Sequence, residues 1–276
     1  MKTRVLLTGG LGYIGSHTAV LLVESGFEVV IFDNLSNSSQ KVLAGLEAII
    51  GTEIPLIIGD VRDTQLLIKS LVNQSIDLVI HFAGIKVVSE SVKYPLDYYD
   101  CNIAGAISLV HAMRAADVKK LVFSSSASLY GSPEYLPIDE NHPIEPTSPY
   151  ARTKHVVEQM LRDLLSSELG WGAVVLRYFN PVGAHQSCLI GESPLGIPNN
   201  LVPYIAQVAA GKLPYLNIFG GDYDTSDGTG VRDYIHVTDL AEGHRCALEF
   251  LSRNQGWHVF NLGTGTGHSV MDLLGI

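Results

Sequence analysis

Short apolar, largely β-branched runs punctuate the chain at Val5–Thr8, Val29–Asp33, Leu56–Asp60, Leu78–Gly84, Leu121–Ser126, Val174–Asn180 and Val259–Gly263. None alternates apolar with polar, so both faces of each strand are to be buried, as in a parallel sheet covered on both sides. Between the early runs the apolar spacing becomes helical. Ile14, Leu21, Leu22 and Val23 mark the first helix, and Gly26 stops it. Strands alternating with helices, joined by right-handed crossovers, give an α/β fold with a doubly wound parallel sheet. Ligands of such sheets bind at the carboxyl ends of the strands.

After Asn180 the pattern changes. Gly, Pro and Asn dominate to about Trp257, with only short periodic pieces. This stretch predicts a smaller, loop-rich lobe, and Val259–Leu262 returns to the sheet. The expected division is residues 1–180 plus about 257–264 in one domain, and about 181–256 plus 265–276 in the other.

Composition narrows the function classes. Only 17% of the 276 residues are charged and 46% are hydrophobic, which excludes a disordered chain or a coiled coil. A net charge of -10 argues against nucleic acid and anionic membrane surfaces as partners. No apolar stretch approaches the ~20 residues of a membrane helix. Cys101, Cys188 and Cys246 lack metal or disulfide spacing and are expected as reduced, buried thiols of a cytoplasmic protein. His17, His81 and His236 are not spaced as metal ligands and read as structural.

The chemistry gathers at the strand ends. The first run leads into Gly9, Gly10, Gly12 and Gly15, a spacing that lets backbone N–H groups approach a pyrophosphate at a helix N-terminus. Asp33 ends the second run, where a carboxylate reaches ribose hydroxyls and repels a 2′-phosphate, favouring NAD. Asp60 ends the third, suited either to the adenine edge or to capping a helix. Phe82, Ala83 and Gly84 end the fourth with room for a cofactor. The fifth ends in Ser124-Ser125-Ser126. Downstream, Ser148 and Pro149 open a helix that carries Tyr150 and Lys154 four residues apart, on one face. A phenol of pKa ~10 must fall by ~3 units to act as a base near neutrality. A neighbouring ammonium and a nicotinamide cation would lower it, and Ser126 can hydrogen-bond the reacting oxygen. The grouping predicts that Tyr150 removes a hydroxyl proton while hydride passes from carbon to NAD⁺.

These motifs resemble the extended short-chain dehydrogenase/reductase superfamily, with its Rossmann-type fold. More narrowly, the chain resembles the UDP-glucose 4-epimerase family through Thr8–Ser16, Asp33-Asn34-Leu35, His81–Lys86, Ser124–Ser126, Ser148–Lys154, Arg177–Ala184, Pro198–Leu201 and Val231–His236. The resemblance implies interconversion of UDP-glucose and UDP-galactose with tightly held NAD, through a bound 4-keto sugar. It implies Tyr150 as base, Ser126 as its helper and Lys154 as the residue that positions the cofactor. Tyr13, Ile14, Asp33, Asn34, Asp60, Val61, Phe82, Lys86, Asn102 and Phe179 fall on the family's NAD contacts. Asn180, Asn200, Leu201, Phe219 and Arg232 fall on its UDP-sugar contacts. Arg232 suits a diphosphate, or else pairs with Asp233 or Asp239. Amphipathic stretches at Pro95–Ala116 and Lys154–Leu165 either pair two subunits, as in the family, or cover the chain's own sheet.

Other readings remain open. A sugar-nucleotide dehydratase would need an acid beside the fifth-strand Ser, where this chain has Ala127 and Ser128. A reductase would release reduced cofactor in step with substrate. Family members continue for several dozen residues beyond Ile276. A shortened substrate lobe is therefore expected, with Val270, Met271 and Leu274 lacking assured partners, and NAD binding without turnover is an alternative.

Overall fold

A computed structural model describes residues 2–192 and 200–275. Its main sheet is parallel throughout. The strands are β1 (Arg4–Thr8), β2 (Glu28–Asp33), β3 (Leu56–Ile58), β4 (Leu78–His81), β5 (Lys120–Ser126), β6 (Gly172–Tyr178) and β9 (Gly256–Leu262). They lie in the order β3-β2-β1-β4-β5-β6-β9, so the winding reverses between β1 and β4. Helices α1 (Tyr13–Glu24), α2 (Gln40–Ile50) and α9 (Val237–Arg253) flank the face built on Val5, Leu7, Ile31, Ile80, Val122 and Val174. Helices α3 (Thr64–Asn73), α6 (Gly105–Ala115) and α7 (Pro149–Ser167) flank the face built on Leu6, Val30, Val79, Leu121, Phe123 and Val175. Adjacent residues of each strand thus enter opposite cores, the reason the runs are apolar without alternation.

A second, three-stranded sheet holds β7 (Asn180–Val182), β8 (Val231–His236) and β10 (Gly267–Ser269), in the order β10-β8-β7. The remaining described helices are α4 (Val88–Lys93), α5 (Pro95–Tyr98), α8 (Leu201–Ala209) and α10 (Val270–Leu274).

Several sequence expectations need correction. The small lobe expected over about 181–256 includes α9, which packs on the main sheet. Its Leu240, Ala247, Leu248 and Leu251 join the core of α1 and α2. Its apolar stripe at three- and four-residue steps follows directly on a Gly-rich stretch, which masks it in the sequence. Pro95–Ala115 is helical throughout, but not α-helical throughout. Tyr99–Ala104 forms a π-helical turn between α5 and α6. Strand β3 stops at Ile58 and β4 at His81, so Asp60 and Phe82-Ala83-Gly84 lie in the loops beyond. The chain leaves β4 because Phe82 and Ala83 N–H both donate to the Thr8 carbonyl, at 3.0 and 2.9 Å. Of the cysteines, Cys188 and Cys246 are exposed and only Cys101 is half-buried. Cys188 sits in a tight turn, and Cys246 is on the outer side of α9 beside Glu242. Ser269 caps α10 through a reciprocal bond with Asp272, while Met271 and Leu274 stay exposed. Pro198 and Ile276 lie outside the described residues.

Candidate active site

The β1–α1 turn is shaped by backbone contact. Gly9 has φ +69°, and a Cβ there would stand 2.7 Å from the Ala83 nitrogen. A Cβ at Gly15 would stand 2.7 Å from the Gly9 carbonyl oxygen. These two glycines let the turn, the helix and the β4 loop close on each other. Gly12 differs. It is the N-cap of α1, has no capping side chain, and its Cβ would meet only the Gly9 oxygen, at 3.2 Å. The first turn of α1 carries no acidic residue. An uncapped, glycine-opened helix N-terminus fits the pyrophosphate of a dinucleotide.

Asp33 is 7% exposed at the end of β2. One oxygen accepts Leu11 N–H at 3.0 Å; the other accepts Leu35 N–H at 2.9 Å and the Ser38 hydroxyl at 2.8 Å. Three donors on a group with about four lone-pair positions leave room for a ribose hydroxyl. Asp60 does not cap α3; Asp63 does, accepting Leu66 N–H at 2.9 Å. Arg62 instead grips Asp60 with Nε at 2.8 Å and Nη2 at 2.7 Å, and Asn34 adds a bond at 3.2 Å. The Arg62 hydrogen bonds hold the Asp60 carboxyl well below the usual carboxylate range, against a smaller opposing effect of burial. Val61 is buried against Gly105.

The β4 loop closes the other side. Gly84 has φ +157°, and its Cβ would stand 2.9 Å from the Asn102 side-chain oxygen and 3.9 Å from the Lys154 nitrogen. Asn102, 4% exposed, binds Ile85 through both its amide atoms. Phe82 packs on His244, with ring centroids 4.8 Å apart. Tyr13 donates its hydroxyl to the Gly183 carbonyl at 2.6 Å, joining α1 to the segment after β7. Ile14 packs into the core below. Leu35 holds φ +60°, fixed by its bond to Asp33.

Ser148 caps α7 by accepting Ala151 N–H at 3.2 Å, and Pro149 occupies its first turn. This cap aims Tyr150 and Lys154 at the end of β5. Lys154 donates to the Ser124 carbonyl at 2.7 Å, and its nitrogen lies 6.0 Å from the Tyr150 ring centre. Burial lowers the Lys154 ammonium to about 8, with Cys101 and Glu158 opposing. Burial also raises the Tyr150 phenol, and a hydrogen bond with Ser126 pulls it down. Ser126 accepts from the Ser128 hydroxyl at 2.9 Å and from Ser128 N–H at 3.2 Å. With its lone pairs engaged, Ser126 presents its proton outward.

The substrate-side candidates are more open. Asn180 and Arg232 stand on neighbouring strands β7 and β8. Arg232 pairs with neither Asp233 nor Asp239. It donates to the Val231 carbonyl, while Asp233 accepts Thr264 and Gly265 N–H groups. Asn200 precedes Leu201 at the start of α8 and donates to Glu192 at 2.7 Å; Lys86 reaches the same oxygen at 3.2 Å. Phe179 bonds Leu262 between β6 and β7. Phe219 is 86% exposed.

Sequence reasoning missed Arg62, Ser128 and Glu192. The first two each stand two residues after a named site residue, a spacing that favours local side-chain bonds. Nothing in the sequence signalled Glu192. His17 is buried against Tyr13 and His185, and His81 is bound to Thr8. Among the described residues, no three His, Cys, Asp or Glu side chains are grouped to hold a metal, and no helix is long and apolar enough to cross a membrane.

Comparison with known proteins places this site in context. Residues 5–263 match the NAD dependent epimerase/dehydratase family. The chain is 54% identical over 272 residues to a UDP-glucose 4-epimerase of Neisseria meningitidis serogroup C, covering 98% of this chain and 80% of that one. It superposes with TM-score 0.96, at 48% identity, on the UDP-glucose 4-epimerase from Bifidobacterium longum in complex with NAD⁺ and UDP, covering 99% of this chain and 82% of that one. The Stenotrophomonas maltophila UDP-glucose-4-epimerase, with bound NAD and formylated UDP-arabinopyranose, superposes with TM-score 0.97 at 51% identity, covering 99% and 81%.

Proposed function

Because the chain belongs to the NAD dependent epimerase/dehydratase family, we infer that it is an NAD-dependent isomerase interconverting UDP-galactose and UDP-glucose by inversion at C4. One observation carries this reading: a half-buried phenol, a buried ammonium and a serine hydroxyl meet at one strand end beside an uncapped glycine turn. No acidic residue follows Ser126 where a dehydratase would need one, since Ala127 and Ser128 stand there.

Gly12 and the first N–H groups of α1 (Tyr13, Ile14, Gly15) would hold the cofactor pyrophosphate, Asp33 its adenine ribose, and Lys154 and Asn102 the nicotinamide end. Gly9, Ala83 and Gly84 keep the two loops close enough to flank it. Asn34, Leu35, Asp60, Val61, Phe82, Lys86 and Phe179 line the remainder. NAD, when bound, supplies the acceptor and later the donor of the C4 hydride. Tyr150 as phenolate takes the proton from the C4 hydroxyl and returns it after the sugar has turned over. Ser126 donates a hydrogen bond to that oxygen in both half-reactions. Lys154, held on the Ser124 carbonyl, stabilises the phenolate. Asn180, Asn200, Leu201, Phe219 and Arg232 hold the UDP part, with the Arg232 guanidinium free to meet the diphosphate. No net redox change results.

The test is conversion of UDP-galactose to UDP-glucose by the purified protein without added reductant, with Tyr150→Phe as control. Turnover lost in the variant supports the reading; cofactor-loaded protein that converts nothing refutes it. A homodimer is part of the proposal. Leu96, Tyr99, Ile107 and Val156 are exposed along α5, the π-helical turn, α6 and α7, and a second copy would cover them. Light scattering of the eluted protein reads this out. Three unbridged cysteines suit a reducing compartment, and the cytoplasm is the proposed location.

A further inference from the structure

A row of polar side chains crosses the main sheet just beneath the strand ends. Ser125, Arg177 and Asn261 are register partners on β5, β6 and β9. Each stands one residue before its strand's last. Glu158 of α7 closes the row from above. Its Oε1 accepts the Ser125 hydroxyl at 2.5 Å and Arg177 Nε at 3.2 Å, and its Oε2 accepts Arg177 Nη2 at 2.7 Å. Arg177 Nη1 donates to the Tyr130 hydroxyl at 2.9 Å, and that hydroxyl donates to Asn261 Oδ1 at 2.6 Å. Glu158 is 3% exposed, Arg177 4%, Ser125 1% and Tyr130 1%.

We propose that this row, with Glu158 at its centre, is a positioning device that sets the axial height of α7 against β5, and thereby the placement of Tyr150 and Lys154 relative to Ser126. It rests on the roles given above to those three residues. Stability alone does not account for it, because a buried ion pair is commonly matched by a well-packed apolar pair of the same volume. What an apolar pair lacks is direction. Tyr150, Lys154 and Glu158 follow one another at four-residue steps on one helical stripe. The stripe is therefore pinned to β5 twice, by Lys154 on the Ser124 carbonyl and by Glu158 on the Ser125 hydroxyl. A slip of one residue in β5, β6 or β9 would turn its member of the row into the opposite core and break its bonds. Glu158, 3% exposed and bonded to Ser125 and Arg177, acts through its neighbours.

Two variants test the proposal, with parent turnover of UDP-galactose measured first. A parent that does not turn over rejects the assigned function and leaves the placement of α7 to be read from structures of the variants. The double variant Glu158→Leu/Arg177→Met removes both charges and every tie of Glu158 to Ser125 and Arg177 while roughly keeping volume, and leaves the Lys154 bond to the Ser124 carbonyl in place. It is expected to unfold near the parent temperature, to retain its NAD, and to lose kcat by about tenfold or more with KM within about threefold. Ser125→Ala removes one tie without orphaning Arg177, and its kcat is expected to fall by about threefold or more at unchanged KM. Where the double variant does not fold, Ser125→Ala decides. A folded double variant with kcat within about threefold of the parent, or a loss that tracks missing NAD, overturns the proposal.

Discussion

Replacing Lys154 by Met should move the pH dependence of turnover rather than merely lower the rate. Tyr150 must ionise about 3 pKa units below the free phenol, or ~4 kcal/mol, to serve as base at pH 7. Burial raises its phenol, so the demand is at least that large. The Lys154 nitrogen lies 6.0 Å from the Tyr150 ring centre. At that separation and an effective dielectric of about 20, a unit charge stabilises the phenolate by ~2.8 kcal/mol, or ~2 pKa units. The rest falls to the Ser126 hydrogen bond and to the positive charge of the oxidised cofactor. Met keeps the volume, and removing a buried charge relieves its desolvation, so the fold should tolerate it. The kcat profile is read from about pH 6 to about pH 10 with UDP-galactose, coupling product to UDP-glucose oxidation. The midpoint of the rising limb should move up by ~2 units and the rate at pH 7 fall ~100-fold, with much of it regained at high pH. A uniform loss at every pH, with the midpoint unmoved, would refute the electrostatic reasoning and leave Lys154 a cofactor-holding residue only.

Three further outcomes are expected. Gly15→Ala places a Cβ 2.7 Å from the Gly9 oxygen and 2.8 Å from the Gly10 Cα, both backbone atoms; the strain of ~1–3 kcal/mol should lower thermal stability and NAD content together, and a variant with parental NAD content contradicts the packing argument. Burial depresses His81 to about 3 and His244 to about 4. Their contribution is therefore fully present above the unfolded value of ~6.5 and is lost as pH falls, because the unfolded chain takes up protons that the native chain refuses. Each contributes up to ~1.4 kcal/mol per pH unit over that fall, so the urea midpoint should drop between about pH 7 and about pH 5; an unchanged midpoint shows that neither is kept neutral by the fold. Arg232→Ala should raise KM for UDP-galactose by ~10–100-fold with kcat little changed, from loss of a charge-assisted diphosphate contact of ~1.5–3 kcal/mol. Equal loss in kcat and kcat/KM would place Arg232 at the reacting carbon instead.

How much of this was legible in the sequence depends on range. The sheet could be read because Val5–Thr8 and Leu121–Ser126 send neighbouring residues into two cores, and that leaves an unbroken apolar run. The Tyr150–Lys154 pair could be read because four residues is one helical turn. Elements of mixed signal were lost: α9 has an apolar stripe of its own, but it follows a Gly-rich stretch and joins a core more than 200 residues away in sequence. The π-helical turn at Tyr99–Ala104 has no periodicity that separates it from an α-helix. Interactions between distant segments were invisible for the same reason. Ser125, Glu158, Arg177 and Asn261 are unremarkable apart, and only strand register brings them together. Glu192 likewise meets Lys86 and Asn200 only through folding.

The two sides of the site are built with different stiffness, and the chemistry explains the difference. On the proposed cofactor side Asp33, Asn102 and Lys154 are 7%, 4% and 6% exposed, and each is held by hydrogen bonds within the chain. On the proposed substrate side Phe219 is 86% exposed, and among the described residues Arg232 donates only to its neighbour's carbonyl. An epimerase must keep the hydride it has taken, so its cofactor and its base cannot shift between the two half-reactions. The sugar must present first one face and then the other to the same Tyr150, so contacts that fix one orientation of the sugar would slow the second step. Binding energy is then best placed on the parts that do not turn, the nucleotide and diphosphate, where it holds both orientations equally. A rigid floor of buried polar ties under Tyr150, Lys154 and Ser126, facing exposed side chains proposed to grip only the UDP, would meet both demands at once.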